Sequence, residues 1–125
     1  MFRIGKSYTF DAAHQLRGLP EGHKCGRLHG HTYTVTVVLG RDELVEPGFV
    51  TDFGDLAPLK RFLDEHFDHW FLNEVVDVAP TSELLARHLA NWFIEHLEPG
   101  IPGRLLAVRV AESPTSWAEY EVPGR

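Results

Sequence analysis

Cysteine, methionine and positive charge are all scarce in this chain. One cysteine among 125 residues cannot close an internal disulfide, which excludes a small scaffold held together by bridges. No apolar run approaches the ~20 residues needed to span a bilayer. Met1-Phe2-Arg3 leads straight into an alternating pattern, without a leader-like apolar stretch. A cytoplasmic protein with no membrane partner is the expectation. Lys and Arg number 12 against 18 Asp and Glu, a net charge of −6. That balance argues against general nucleic-acid binding, which needs a basic face. An anionic small molecule is still admissible, because a pocket can be locally basic. Arg17, His23, Lys24 and Arg27 gather in one loop, as a basic pocket wall or as a solvated surface. There is no internal repeat, low-complexity run or linker.

Hydrophobic residues make up 43% of the chain and charged residues 24%, enough apolar material for one core. One domain over residues 1–125 is the expectation. Histidine is plentiful, with eight copies. Two of them, His29 and His31, open the strand-like run Tyr33-Thr-Val-Thr-Val-Val-Leu39. Residues two apart in a strand point to the same side, so these imidazoles project together. They are in phase with Tyr33, Val35, Val37 and Leu39. In the first strand, residues 2–13, the apolar residues fall mostly on even positions, and His14 continues that phase. If the two strands share a core face, His14, His29 and His31 look into one space. Three neutral imidazoles suit Zn²⁺, and a three-ligand site keeps a position open for water or substrate. Cys25 lies close by. It either completes a closed four-ligand site or acts as a base or nucleophile beside the metal. Its cationic neighbours Lys24 and Arg27 favour the thiolate and hence the second role.

The loop from Gln15 to Arg27, with Gly18, Pro20, Gly22 and Gly26, is not regular structure, yet both its ends carry site groups. A second strand is expected over 29–40 and a polar turn over 41–48, followed by a short extended piece. A helix is expected from Asp55, with Pro58 in its first turn and Leu56, Leu59, Leu63 and Phe67 facing inward. Asp68 and His69 follow among aromatics. Neighbours in sequence rarely bond each other, so their spacing reads as a helix-end histidine beside a surface aspartate; a proton relay requires His69 to face the site. Thr81 caps a second helix whose buried stripe is expected to hold Leu85, Leu89, Trp92, Phe93, His96 and Leu97, with Glu98-Pro99-Gly100 as the stop. A third strand runs from Arg104 to Glu112, and a fourth from Trp117 to Val122. Glu112 shares the apolar phase of Leu106, Val108 and Val110. It has either reached solvent or needs a cationic side chain or paired N–H donors. The order ββααββ predicts an α+β fold, an antiparallel four-stranded sheet with two helices on one face. Its two open edges must be covered, blunted or paired with another subunit.

Phe10-Asp-Ala-Ala-His14, Pro20-Glu-Gly-His-Lys-Cys-Gly-Arg-Leu-His-Gly-His31, Asp52-Phe53, Asp68-His69 with Leu72-Asn73, Pro80-Thr-Ser-Glu83 and Glu112 together resemble the 6-pyruvoyl-tetrahydropterin synthase family. The likeness is closest to its bacterial 6-carboxy-tetrahydropterin synthase branch. It implies the T-fold (tunnelling fold), with the sheets of three subunits joined into a barrel, two trimers stacked as a homohexamer and sites between subunits. It implies Zn²⁺ on His14, His29 and His31, Cys25 as proton acceptor and Asp68-His69 as relay. Glu112 would anchor the pterin ring, with a place in the proton relay also open. The substrate would be 7,8-dihydroneopterin triphosphate, and the reaction a lyase step to 6-carboxy-5,6,7,8-tetrahydropterin, acetaldehyde and triphosphate on the queuosine (deazapurine) route. Three residues separate Cys25 from His29; the pyruvoyl-forming branch resembles this pattern with a longer spacing and is the alternative. A non-enzymatic alternative is a zinc-stabilised binding or assembly module, with Cys25 as fourth ligand and Asp68, His69 and Glu112 structural.

Overall fold

Two long strands with β-branched and aromatic residues on alternate positions begin the chain. The computed structural model describes residues 1–125. β1 (Phe2–His14) and β2 (His29–Arg41) pair antiparallel, with Phe10 opposite Tyr33, Ala12 opposite His31 and His14 opposite His29. β3 (Arg104–Ser113) adds to β2, and β4 (Ser116–Glu121) to β3, giving the sheet order β1-β2-β3-β4. A register shift at Val38/Leu39 skips Leu106, so Leu105 and Val108, rather than Leu106, face the core with Val110. Such a bulge re-phases one strand against its partner. The expected four-stranded antiparallel sheet is present, with every strand within a residue or two of its expected limits.

The helices cover the face that carries Phe10, Tyr33, Val35, Val37, Val108 and Val110, and all of these are buried. The expected cap at Asp55 is not used. Asp52 accepts from the Gly54 N–H and starts a 3₁₀ turn, Phe53–Leu56, before α1 (Ala57–His66). Pro58 sits in the first helical turn, where its missing N–H costs nothing. Leu56, Leu59, Leu63 and Phe67 are buried as their spacing requires. A short helix, α2 (Leu72–Val75), was not expected. α3 (Ser82–His96) is capped by the Thr81 hydroxyl, which accepts from the Leu84 N–H at 3.2 Å. Its buried stripe differs from the expected one: Ala86 and Ala90 join Leu85, Leu89 and Phe93, whereas Trp92 lies at the flank and His96 is exposed. Small alanines let the helix approach the sheet closely, so the stripe turns toward them. Trp92 instead stacks on Phe62 of α1 with ring centroids 4.1 Å apart. No helix is long and apolar enough to cross a membrane.

The end of β1 is pinned from outside the sheet. The Ala13 N–H donates to the Trp70 carbonyl at 3.1 Å, and Ala13 and Phe71 form a parallel bridge. Hence the segment after α1 lies along the β1 edge where His14 is delivered. Elsewhere β1 and β4 keep open edges, and Phe2 and Trp117 are exposed on them.

Candidate metal centre

The phase argument holds in three dimensions. One ring nitrogen from each of His14, His29 and His31 lies within 4.8 Å of the others, in a group that includes no thiol. His14 is buried and the other two are partly buried. The orientation of two rings is fixed by backbone carbonyls, which can only accept. His14 Nδ1 donates to the Pro80 carbonyl at 2.8 Å, and His29 Nδ1 to the Arg27 carbonyl at 2.7 Å. In a neutral imidazole the other nitrogen then carries a lone pair. These two Nε2 atoms face each other at 2.8 Å. The third, His31 Nε2, is buried with no hydrogen-bond partner. Two opposed lone pairs and an orphaned third nitrogen are unfavourable unless a cation sits among them. Carbonyl partners on the far side of ligating imidazoles are also the usual outer support of a metal site. These residues fit a metal ion bound by three imidazoles.

Glu112 reaches the same place from β3. Its Oε2 lies 3.8 Å from His31 Nε2, too far for a hydrogen bond, and its Oε1 accepts from the Ser82 hydroxyl at 2.9 Å. The carboxylate therefore has one satisfied oxygen and one that faces the triad, and Glu112 is only partly exposed. Burial holds the His31 pKa below its ordinary value, with Glu112 opposing the shift. Tyr33 lies against the site, its ring 5.4 Å from that of His31 and 5.9 Å from that of His14. Its hydroxyl is buried and unpartnered, and burial followed by the Glu112 charge pushes its pKa well up.

Cys25 sits half-buried in a 3₁₀ turn, Lys24–Gly26, near the end of the loop. Its N–H donates to His23 Nδ1 at 3.1 Å and its carbonyl accepts from the Leu16 N–H at 3.1 Å. Asp68 and His69 bond each other directly, Nδ1 to Oδ2 at 2.9 Å, contrary to the expectation for sequence neighbours. The reason is local: His69 has φ 63°, the left-handed region, which turns its ring back onto Asp68. The main chain of Asp11 grips both, donating its N–H to Asp68 Oδ1 at 2.9 Å and accepting from the His69 N–H at 2.6 Å. The Asp11 N–H and then His69 hold the Asp68 carboxyl below its usual range; the bond to Asp68 raises the His69 pKa.

Two groupings therefore exist within the chain. The triad, Glu112 and Tyr33 share the helix-covered face. The dyad lies with Asp11, whose side chain bonds Thr32 on the opposite face, and the His69 side chain is 79% exposed. A cleft of about 590 Å³ between the paired ends of β1 and β2 and the segment after α1 is lined by both His31 and His69, with Asp11, Thr32 and Trp70. Neither Cys25 nor Glu112 lines it, and no hydrogen bond joins the dyad to the triad. The cap pattern around Thr81 gives no sign that the Pro80 carbonyl and the Ser82 hydroxyl reach the site. Nor does the Phe10–His14 motif announce the part played by Asp11, which lies inside it.

Comparison with known proteins follows the same lines. The family model for 6-pyruvoyl tetrahydropterin synthase matches residues 3–123. A Synechocystis protein named 6-carboxy-5,6,7,8-tetrahydropterin synthase is 42% identical over 98% of this chain and 95% of its own length. Among solved structures, an uncharacterized protein from Wolinella succinogenes superposes with a TM-score of 0.86 at 24% identity, covering 96% of this chain and 97% of that one. The 6-pyruvoyl tetrahydropterin synthase of Caenorhabditis elegans gives 0.81 at 24% identity, over 97% of this chain and 95% of that one.

Proposed function

Since this chain belongs to the 6-pyruvoyl tetrahydropterin synthase family, we propose that it is a zinc-dependent 6-carboxy-5,6,7,8-tetrahydropterin synthase. In this reading it is a lyase that converts 7,8-dihydroneopterin triphosphate and one water to 6-carboxytetrahydropterin, acetaldehyde and triphosphate, in the cytoplasm, on the route to queuosine. The observation that carries the reading is the convergence of His14, His29 and His31, with two lone pairs opposed and one nitrogen unpartnered. The nearly full-length Synechocystis relative supports the carboxy-forming branch, as does the short Cys25-to-His29 spacing.

His14, His29 and His31 would hold Zn²⁺, which when bound supplies a Lewis acid that acidifies the hydroxyls of the substrate side chain. Glu112 presents the oxygen not engaged by Ser82 to the paired N–H donors of the pterin edge, a charge-assisted contact that fixes the ring. The Cys25 thiolate takes a proton from the side chain. His69, held by Asp68, exchanges the second proton, after which triphosphate leaves, one water adds to the side-chain carbonyl carbon that becomes the carboxylate, and carbon–carbon cleavage frees acetaldehyde. The exposure of His69 and its separation from the triad support a site completed between subunits. Open β1 and β4 edges with Phe2 and Trp117 uncovered support assembly through those edges, as a homohexamer of two stacked trimers.

The test is incubation of the zinc-loaded protein with 7,8-dihydroneopterin triphosphate and mass spectrometry of the products. Acetaldehyde with 6-carboxytetrahydropterin is expected. A pyruvoyl product without acetaldehyde would move the protein to the other branch, and no turnover at full zinc occupancy would favour a binding or assembly module.

A further inference from the structure

Gln15 ties together three parts of the site that lie far apart in sequence. The side-chain amide of Asn73, in α2, closes a reciprocal pair on its main chain: Oδ1 accepts from the Gln15 N–H at 2.9 Å, and Nδ2 donates to the Gln15 carbonyl at 2.8 Å. An amide side chain thus stands where a further strand would pair, immediately after His14 leaves β1. The Gln15 side chain reaches the other way, and its Nε2 donates to the Gly26 carbonyl at 3.0 Å. The next N–H, that of Leu16, donates to the Cys25 carbonyl at 3.1 Å. Apart from the Arg27 carbonyl, which accepts from His29, the other hydrogen bonds of residues 17–27 close within the loop itself. Those residues are mostly exposed, and Gly18 and Gly22 take positive φ, so burial and regular pairing do little to hold them. Apart from that bond at the end of the turn, the hold on Cys25 therefore comes through residues 15 and 16.

On the reading of Cys25 as the proton acceptor, we infer that Gln15 and Asn73 are positioning residues for the reaction: Asn73 locks Gln15, and Gln15 locks the Cys25 turn in place relative to the metal ligand His14. The arrangement also joins the segment that carries Asp68 and His69 to the Cys25 loop, because Asn73 follows the dyad within one short stretch. Misplacement of a reacting group by about 1 Å can cost about 100-fold in rate. Loss of the clamp is thus expected in turnover more than in substrate binding, since neither side chain is placed on the substrate.

Gln15→Glu keeps the size of the side chain, removes the Nε2 donor and sets an acceptor against the Gly26 carbonyl. Asn73→Asp does the same at the Gln15 carbonyl. Each is expected to retain zinc, to lower kcat about 10- to 100-fold and to leave KM within about threefold. Alkylation of Cys25 by iodoacetamide, followed on the full zinc-loaded protein, should be accelerated in both. Because the two residues act in series, the double variant should lose no more kcat than the worse single. If Gln15→Glu does not fold, Gln15→Met serves in its place. Wild-type kcat and alkylation rate in the Gln15 variant would overturn the inference, as would kcat losses that multiply in the double variant. Failure of the underlying reading is distinguishable: Cys25→Ala would then keep wild-type turnover, whatever the alkylation rates of the clamp variants.

Discussion

His14 and His29 face each other through Nε2 atoms 2.8 Å apart, while both Nδ1 atoms are committed to backbone carbonyls. Neither ring can turn to relieve the opposition without breaking a bond to Pro80 or Arg27. The pair is therefore preorganised for a cation, and His31 supplies the third donor. Removing one member leaves two ligands, too few for tight zinc at neutral pH. His29→Ala should emerge from purification with well under one zinc per chain and no turnover. Stoichiometric zinc in that variant, measured by atomic absorption, would remove His29 from the ligand set.

Cys25 stands outside the group of converging ligand atoms. Cys25→Ala should then keep a full zinc complement and lose turnover by ~100-fold or more, the span typical of a lost general base. Parallel loss of zinc and activity would make the thiol a ligand.

The Asp68–His69 bond carries a pH signature. Hydrogen bonding to Asp68 raises the His69 pKa above its ordinary 6.5, and the Asp11 N–H with His69 lowers that of Asp68 below its ordinary 3.8. The histidine's share of stability is complete below pH 6.5 and is lost as pH climbs through the raised value. The aspartate's share is complete above pH 3.8 and is lost as pH falls through the lowered one. Asp68→Asn should move the His69 midpoint, followed by NMR of its ring protons, toward lower pH. The alkaline side of any stability gain from this pair should disappear with it. An unmoved midpoint would show that Asp68 does not set the charge of His69.

Tyr33 buries a hydroxyl that has no protein partner. An unsatisfied buried hydroxyl costs about 1–3 kcal/mol. Tyr33→Phe keeps the stack on Phe10, whose ring lies 5.0 Å away. In metal-free protein it should be at least as stable as the parent by urea unfolding, and by up to about 1 kcal/mol more so. A loss of more than about 1 kcal/mol would mean that the hydroxyl is hydrogen-bonded in solution.

Strand phase made the histidine triad legible in the sequence, because a two-residue period fixes which side chains share a face and His14, His29 and His31 obey it. The sheet was legible for the same reason, and the two longer helices from apolar residues recurring every three or four positions behind a cap or an early proline. The Asp68–His69 bond was not, because it depends on the sign of one φ angle that residue types do not dictate. The α3 stripe turned toward Ala86 and Ala90 because close packing on the sheet outweighs the larger side chain of Trp92. Contacts such as Ser82 to Glu112 and Asn73 to Gln15 join residues 30 and 58 positions apart, which no local pattern announces.

X-ray absorption at the zinc edge on the purified, loaded protein is the most direct measurement. One zinc per chain with three imidazole nitrogens, one further oxygen and no sulfur is the expected first shell. A sulfur at about 2.3 Å, the usual Zn–S distance, would make Cys25 the fourth ligand, close the site and contradict the catalytic reading.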